Sequence, residues 1–538
     1  MPRTDDPVSP AGRRTLQDAL EAWSTHHGVP GATVTVADAQ GGSVTAVSGL
    51  ADVATGEAVE PGHRFQIGSI GKSLTAITLL RLAEGGRLDP ADPVRRSLPW
   101  FETSLRREIT LHELLTHTSG LPMGGDFSES GWFDAWTLRD VGPGGRPGRW
   151  SYSNVGYKVL GLAIEAIAGS AYGDAVHRAI LEPLGMTDSR ATVHWTGRAG
   201  EVTGYEPAPD AYPMSRAPRV PAPWMDLTTG DGSTSASGPD MGRYLSMLLR
   251  GGSGPRGPVI GEPAFARLIA RHVRIRPGLW SGYGFARYEL DGSPAIGHGG
   301  DMVGFGSSLV ADTGNGLGAV VLANLRDAPC RPLTLFALRL ARAERGLGPA
   351  PRLDLDTPVD PALRFAGRDA VDDARLEIGV EAGTAWAAFD GRRVPLIATG
   401  VDEFEVDDPV LGRFPLILER DDGGDTGEGA PGAVILGGAR FTIRPPARAP
   451  SPFRPSHRAA VGRYRSHNPW RRTFDVVERH GRLLLIEANG MEDGLAPRGH
   501  GLFRVGGPGS PEWIRFDAVV AGRALRASAT GHPYYRTA

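Results

Sequence analysis

Leu16, Leu20 and Trp23 recur on one helical face, and the spacing predicts an amphipathic helix over 12–27. Two alternating stretches follow, Ala32–Ala37 and Ser43–Ser48, in the manner of a hairpin. Phe65–Glu84 opens on Gly68-Ser69 and then becomes helical. Thr110 and Glu113 form a capping box ahead of another helix, and Val155–Gly169 is helical again. Residues 122–150 are rich in Gly and Trp without a clear period, which predicts a long surface loop. Residues 196–236 are Pro-rich and irregular, and loops of that length serve as walls or lids. Ser237 and Asp240 cap a helix running to about Leu249; strands are predicted near 284–290, 304–311 and 317–324, and a last helix over 332–345. This order gives an α+β domain, an antiparallel sheet flanked by helices with both domain termini meeting at the sheet.

The pattern changes after Gly346. Pro349, Pro351, Pro358 and Pro361 mark one linker, and the prolines of Pro445–Pro455 mark another. Short alternating strands fill the rest, in two stretches that echo each other. Phe365-Ala-Gly-Arg-Asp369 matches Ala460-Val-Gly-Arg-Tyr464, Asp402-Glu-Phe404 matches Gly501-Leu-Phe503, and Arg413-Phe-Pro-Leu416 matches Trp513-Ile-Arg-Phe516. Two small antiparallel β-barrels of related topology are predicted, giving domains at 1–347, 358–445 and 457–538.

A chain of 538 residues with 40% apolar content is long enough for about three cores. A net charge of -3 gives no electrostatic case for nucleic acid. No apolar run reaches the length of a membrane span, and the stretch MPRTDDPVSPAGRR has no apolar region of a secretory signal. Neither membrane association nor export is expected, and a cytoplasmic location is. Cys330 stands alone, which excludes an internal disulfide and predicts a small buried hydrophobe. Of 58 basic residues only Lys72 and Lys158 are lysines. Arginine cannot give up its proton in a protein and a buried lysine can, so each lysine is a candidate for work that needs an amine.

Ser69 and Lys72 stand three apart at a predicted helix start, which places both side chains on one face with the helix N-terminus beside the serine. A serine hydroxyl needs a base, and burial favours the neutral amine that can be one. Tyr152-Ser-Asn154 precedes a helix, and His298-Gly299-Gly300 lies between predicted strands. A tyrosine hydroxyl near the serine can relay the proton to a leaving group, an asparagine amide can hold the acyl side of a substrate, and a Gly-Gly edge admits a substrate backbone.

These motifs, S-x-x-K, Y-x-N and H-x-G in that order, resemble those of the penicillin-recognising serine hydrolases: class C β-lactamases, D-alanyl-D-alanine carboxypeptidases, D-aminopeptidases and related esterases. Leu114-Leu-Thr-His-Thr-Ser-Gly-Leu-Pro122, Tyr152–Tyr157, Pro183-Leu-Gly-Met186, the Gly297–Gly304 turn and Gly316–Asn324 are similar to segments of the same family, so the resemblance spans about 12–346. It implies Ser69 as nucleophile, Lys72 as base, Tyr152 as proton shuttle and Asn154 orienting the acyl group. His298, Gly299 and Gly300 would line the third motif, and the N–H groups of Ser69 and Asp301 would form the oxyanion hole. No cofactor or metal is implied. His298 departs from the lysine many β-lactamases and carboxypeptidases carry, and a mostly neutral imidazole is a poor attractor for a substrate carboxylate. The expected substrate is therefore a small peptide, amide or ester, as for D-aminopeptidase-like or esterase-like members. The paired β-units resemble the barrels that follow D-aminopeptidases. Single units follow esterases and penicillin-binding-protein-type cyclases, so transfer of a carrier-protein-bound acyl group is the alternative, and a homodimer is a further expectation. A third reading, an inactive binding relative, is disfavoured because all three motifs are kept.

Three patterns do not carry chemistry. His112 and His117 lie five apart, so they do not face one zinc ion. Ser69 lacks the G-x-S-x-G elbow, and there is no phosphate-binding G-x-x-x-x-G-K-[ST] loop. Trp132, Trp136 and Trp224 are candidate contacts of the substrate pocket.

Overall fold

The computed structural model describes residues 6–124, 131–140, 144–208, 217–356, 359–369, 374–400, 402–408, 411–420, 431–436, 439–443, 455–479, 481–488, 491–507, 509–529 and 531–537. A first compact unit ends at Leu353, and two barrels follow it in sequence.

Helix α1, Pro10–His27, begins where Ser9 accepts from the Gly12 N–H, with Pro10 at its first position, and ends on Gly28 in the left-handed region. Its predicted face is fully buried: Leu16, Leu20 and Trp23 have no exposure. Strands β1 (Gly31–Asp38) and β2 (Ser43–Asp52) form the predicted hairpin, with Ala32 opposite Ser48 and Ala37 opposite Ser43. After β3 (Glu57–Ala58) the sheet resumes far along the chain with β4 (Val273–Arg276), β5 (Leu279–Ser281), β6 (Ala286–Leu290), β7 (Ser293–Met302), β8 (Phe305–Asp312) and β9 (Leu317–Ala323). The nine strands run in the order β4-β5-β6-β7-β8-β9-β1-β2-β3, all antiparallel. Because β9 pairs with β1, the two ends of this unit meet in the sheet as expected.

Between β3 and β4 lie the helices α2 (Gly71–Glu84), α3 (Leu111–Leu115), α4 (Trp132–Thr137), α5 (Asn154–Ala168) and α6 (Gly238–Leu249); α7 (Cys330–Glu344) follows β9. The Thr110–Glu113 capping box is formed in both directions, and the Ser237 hydroxyl accepts from the Asp240 N–H to start α6. Gly238 lets α6 lie flat on the sheet, since a Cβ there would stand 2.7 Å from Thr33 Oγ1.

Three expectations need correction. His298-Gly-Gly does not lie between strands but inside β7; with three glycines among its central residues this strand shows no apolar alternation to read. The Gly297–Gly304 turn shrinks to Val303-Gly304, with Met302 opposite Phe305. Residues 122–150 are not simply a surface loop, because α4 sits within them and buries Asp134 and Ala135. Residues 125–130 and 141–143 of that stretch, and 209–216 of the Pro-rich segment, lie outside the described residues.

Both barrels are closed eight-stranded antiparallel structures, from Phe365–Asp369 to Ala439–Thr442 and from Gly462–Arg465 to His532–Arg536. First and last strands pair through Arg368 with Thr442 and Tyr464 with Arg536. Leu376, Ile378, Phe404 and Leu416 fill one interior, and Tyr464, Phe474, Phe503 and Ile514 fill the other. The third sequence echo is two residues out of step. Phe404 stands opposite Leu416 and Phe503 opposite Ile514, so Ile514 rather than Phe516 corresponds to Leu416. A shift of two keeps the inward face, which is why the echo survived it. Most of the Pro445–Pro455 linker and Pro358 lie outside the described residues.

Lys158, the second lysine, sits on α5 and meets Asp134 of α4 at 2.6 Å, both side chains almost fully buried. The amine at 158 therefore fastens a short helix to the core. Lys158→Met, which leaves the Asp134 carboxylate without that ammonium, should cost about 3–5 kcal/mol in denaturant unfolding of the full chain. Lys158→Met with Asp134→Leu should recover most of the loss.

Candidate active site

Ser69 lies on a single 3-10 turn, Gly68–Ile70, that runs directly into α2. The turn is held by backbone lying on backbone. Gly68 has φ +53, and a Cβ on it would stand 2.8 Å from the Asp301 nitrogen and 2.7 Å from its carbonyl oxygen. Across the same contact, a Cβ on Gly300 would stand 2.0 Å from the Ile67 carbonyl oxygen. That carbonyl accepts from Ser307 Oγ at 2.9 Å, and the Ile67 N–H donates to the Thr234 carbonyl at 3.0 Å. Gly284, φ +71, fits against the backbone of Lys72 and Ser73. The first ten residues of α2 are all buried, so this is a central helix rather than an amphipathic surface one.

Lys72 has no exposed surface. Its Nζ lies 2.9 Å from Ser69 Oγ and donates to the Asp231 carbonyl at 2.7 Å. The same nitrogen is 5.0 Å from the centre of the Tyr152 ring and 5.7 Å from that of Tyr157. The sequence motifs thus meet: Ser69, Lys72 and Tyr152 share one small volume. Tyr152 and His298 face each other with ring centres 6.1 Å apart.

Asn154 opens α5, whose cap Ser153 accepts from the Gly156 N–H and donates from Oγ to the Pro122 carbonyl at 2.7 Å. Asn154 Oδ1 is buried with no hydrogen-bond partner among the described residues. A buried amide oxygen without a donor is costly in a closed core and useful in a site that receives one.

Strand β7 supplies the remaining wall. Its pairing with β6 ends at Gly297 opposite Ala286, so from His298 onward one edge is free. The two-residue turn makes Met302 and Phe305 the closing pair. By antiparallel alternation the backbone groups of Asp301 and Gly299 then point away from β8, toward that free edge. The Asp301 N–H therefore lies at the nucleophile turn. Gly299 differs from Gly300 in room: a Cβ there would meet nothing closer than 3.7 Å. His298 is partly buried, with Nδ1 2.5 Å from the Gly299 carbonyl. Burial pushes its pKa down to about 4.

The sequence reading missed two contributors. Asp231 acts through its backbone carbonyl, which no side-chain motif reveals. His117 entered that reading inside the family-like segment Leu114–Pro122 and as half of a failed zinc pattern, in neither case with a role. It is 5% exposed and sits beneath Tyr152, with ring centres 4.6 Å apart. His112 turns elsewhere, its Nδ1 2.6 Å from the Tyr283 hydroxyl. Among the described residues no group of His, Cys, Asp and Glu is placed to hold a metal. Cys330 is buried. The three candidate tryptophans have partners of their own: Trp132 stacks on Trp100 at 4.4 Å, Trp136 carries the Arg139 guanidinium, and Trp224 packs edge-on against Trp195.

Residues 13–343 match the Beta-lactamase family model. The chain is 32% identical over 337 residues to Penicillin-binding protein 4 of Amycolatopsis lactamdurans, covering 57% of this chain and 84% of that one. It is also 32% identical over 166 residues to Esterase EstB of Burkholderia gladioli, where the match spans 26% of this chain and only 41% of the esterase. Among solved structures, the octameric penicillin-binding protein homologue from Pyrococcus abyssi superposes with a TM-score of 0.57 at 22% identity, covering 80% of this chain and all of that one. With a family match over more than half its length, the chain belongs to the beta-lactamase family.

Proposed function

We propose that this protein is a serine hydrolase that forms an acyl-enzyme on Ser69 and acts on amide or ester bonds of small substrates lacking a required carboxylate, as a D-stereospecific aminopeptidase or an esterase. The observation that carries this reading is the solvent-free Lys72 amine 2.9 Å from Ser69 Oγ.

In its neutral form the amine donates to the Asp231 carbonyl and turns its lone pair toward the serine hydroxyl. Ser69 Oγ attacks the substrate carbonyl carbon as its proton passes to Nζ. The oxygen that becomes negative is received by the Ser69 and Asp301 N–H groups, and donors of this kind contribute roughly 3 kcal/mol each to the transition state. Tyr152, whose ring centre lies 5.0 Å from Lys72 Nζ, hands the proton to the leaving nitrogen or oxygen, which departs as an amine or alcohol. Water then enters along the same relay in reverse, frees the acid and restores the serine. Asn154, with its unpaired Oδ1, takes an N–H on the acyl side. A neutral His298 leaves the third motif without a cation, which favours neutral or amine-bearing substrates over carboxylates.

The test is hydrolysis of nitrophenyl esters and D-aminoacyl nitroanilides. Ser69→Ala should abolish turnover, and Lys72→Arg should lower kcat by at least about 1,000-fold, because the guanidinium keeps the charge and cannot take the proton. Substantial turnover by Lys72→Arg would remove lysine from the mechanism. Gly299→Ala should be tolerated within about threefold. Gly300→Ala should lose most activity, because its Cβ would part the strand from the nucleophile turn. With its imidazole neutral above about pH 5, His298 should impose no step on kcat/KM between about pH 5 and 8. A step there that vanishes in His298→Gln would contradict that assignment.

A further inference from the structure

His117 makes no contact with Ser69 or Lys72 that the reaction requires, yet it grips three consecutive residues centred on Tyr152. Its backbone carbonyl accepts from the Ser151 N–H at 2.8 Å. Its ring Nδ1 accepts from the Ser153 N–H at 3.0 Å. Its ring lies against Tyr152 between those two bonds, tilted by 30°, and against Tyr157 on another side at 5.0 Å. The backbone pays for this grip with φ +59, a left-handed conformation that histidine and asparagine tolerate better than most residues. That conformation aims carbonyl and side chain at one segment.

Because Nδ1 accepts a backbone N–H, the ring proton must reside on Nε2. Burial drives the imidazole pKa well below its usual value, so the ring stays a neutral acceptor.

We propose that His117 is the positioning residue of the proton relay: it fixes the phenol of Tyr152. This rests on the serine hydrolase reading above. A residue that only aids folding would slow every substrate alike. A residue that aims the proton donor slows only those whose leaving group must be protonated. A nitrophenolate leaves without help, and an alkoxide does not.

The experiment compares nitrophenyl and ethyl esters of one acyl group, chosen as the group that the wild type turns over fastest. His117→Phe keeps a ring and lacks the acceptor. His117→Asn loses the ring, keeps an acceptor at the same δ position and tolerates left-handed φ. His117→Phe should lower kcat/KM on the ethyl ester by about 100-fold while the nitrophenyl ester falls by less than about threefold. His117→Asn should recover at least half of that loss on a logarithmic scale. Equal losses on both esters, or no loss on the ethyl ester, would overturn the proposal. Should the Phe variant not fold, His117→Asn decides it: its ethyl ester activity must fall more than its nitrophenyl activity, and parallel losses refute the assignment. If the wild type cleaves neither ester and Ser69→Ala changes nothing, the serine hydrolase reading has failed instead.

Discussion

The structure depends on one contact, the meeting of the nucleophile turn with the free edge of β7. Gly68 against Asp301 and Gly300 against Ile67 bring main chain to main chain at distances that leave no room for a Cβ. This approach does two things at once. It fixes Ser69 at the mouth of α2, and it brings the Asp301 main chain to the same turn. Ser307 Oγ, bonded to both Ile67 and Gly300, locks the two elements together. In the proposed reaction the Ser69 and Asp301 N–H groups are thereby oriented before substrate arrives and need not reorganise.

Around that contact the protein builds a dry interior for a single amine. Lys72 is enclosed by α2, the Asp231 carbonyl and the rings of Tyr152 and Tyr157. Its counterpart Lys158 shows the contrast. That amine is equally buried but meets the Asp134 carboxylate, which holds it as an ion-paired ammonium and gives it structural work. Lysine scarcity therefore pointed to two buried amines, and only the partner of each distinguishes the proposed base from the fastener.

Much of this was legible in the sequence, for identifiable reasons. α1, the β1–β2 hairpin, the capping box at Thr110 and the strands β8 and β9 carry strong periodicity or cap chemistry, and each forms where its pattern lies. Two barrels were visible as a repeat before any strand was placed. Ser69, Lys72, Tyr152 and His298 converge as their order along the chain suggested. Strand β7 was illegible because its glycines carry no alternation, although they are what the site requires. Asp231 was hidden because it acts through its main chain. His117 lay within the family-like segment 114–122, but its role was hidden because its neighbours in space, Ser151 to Ser153, lie more than thirty residues away.

The account's central claim is that covalent chemistry occurs at Ser69 and nowhere else. Intact-mass measurement of the full chain after exposure to a fluorophosphonate, followed by peptide mapping, addresses it directly. The account predicts one adduct, on Ser69, that is absent from Ser69→Ala. No adduct, or one that persists in Ser69→Ala at another residue, would contradict it.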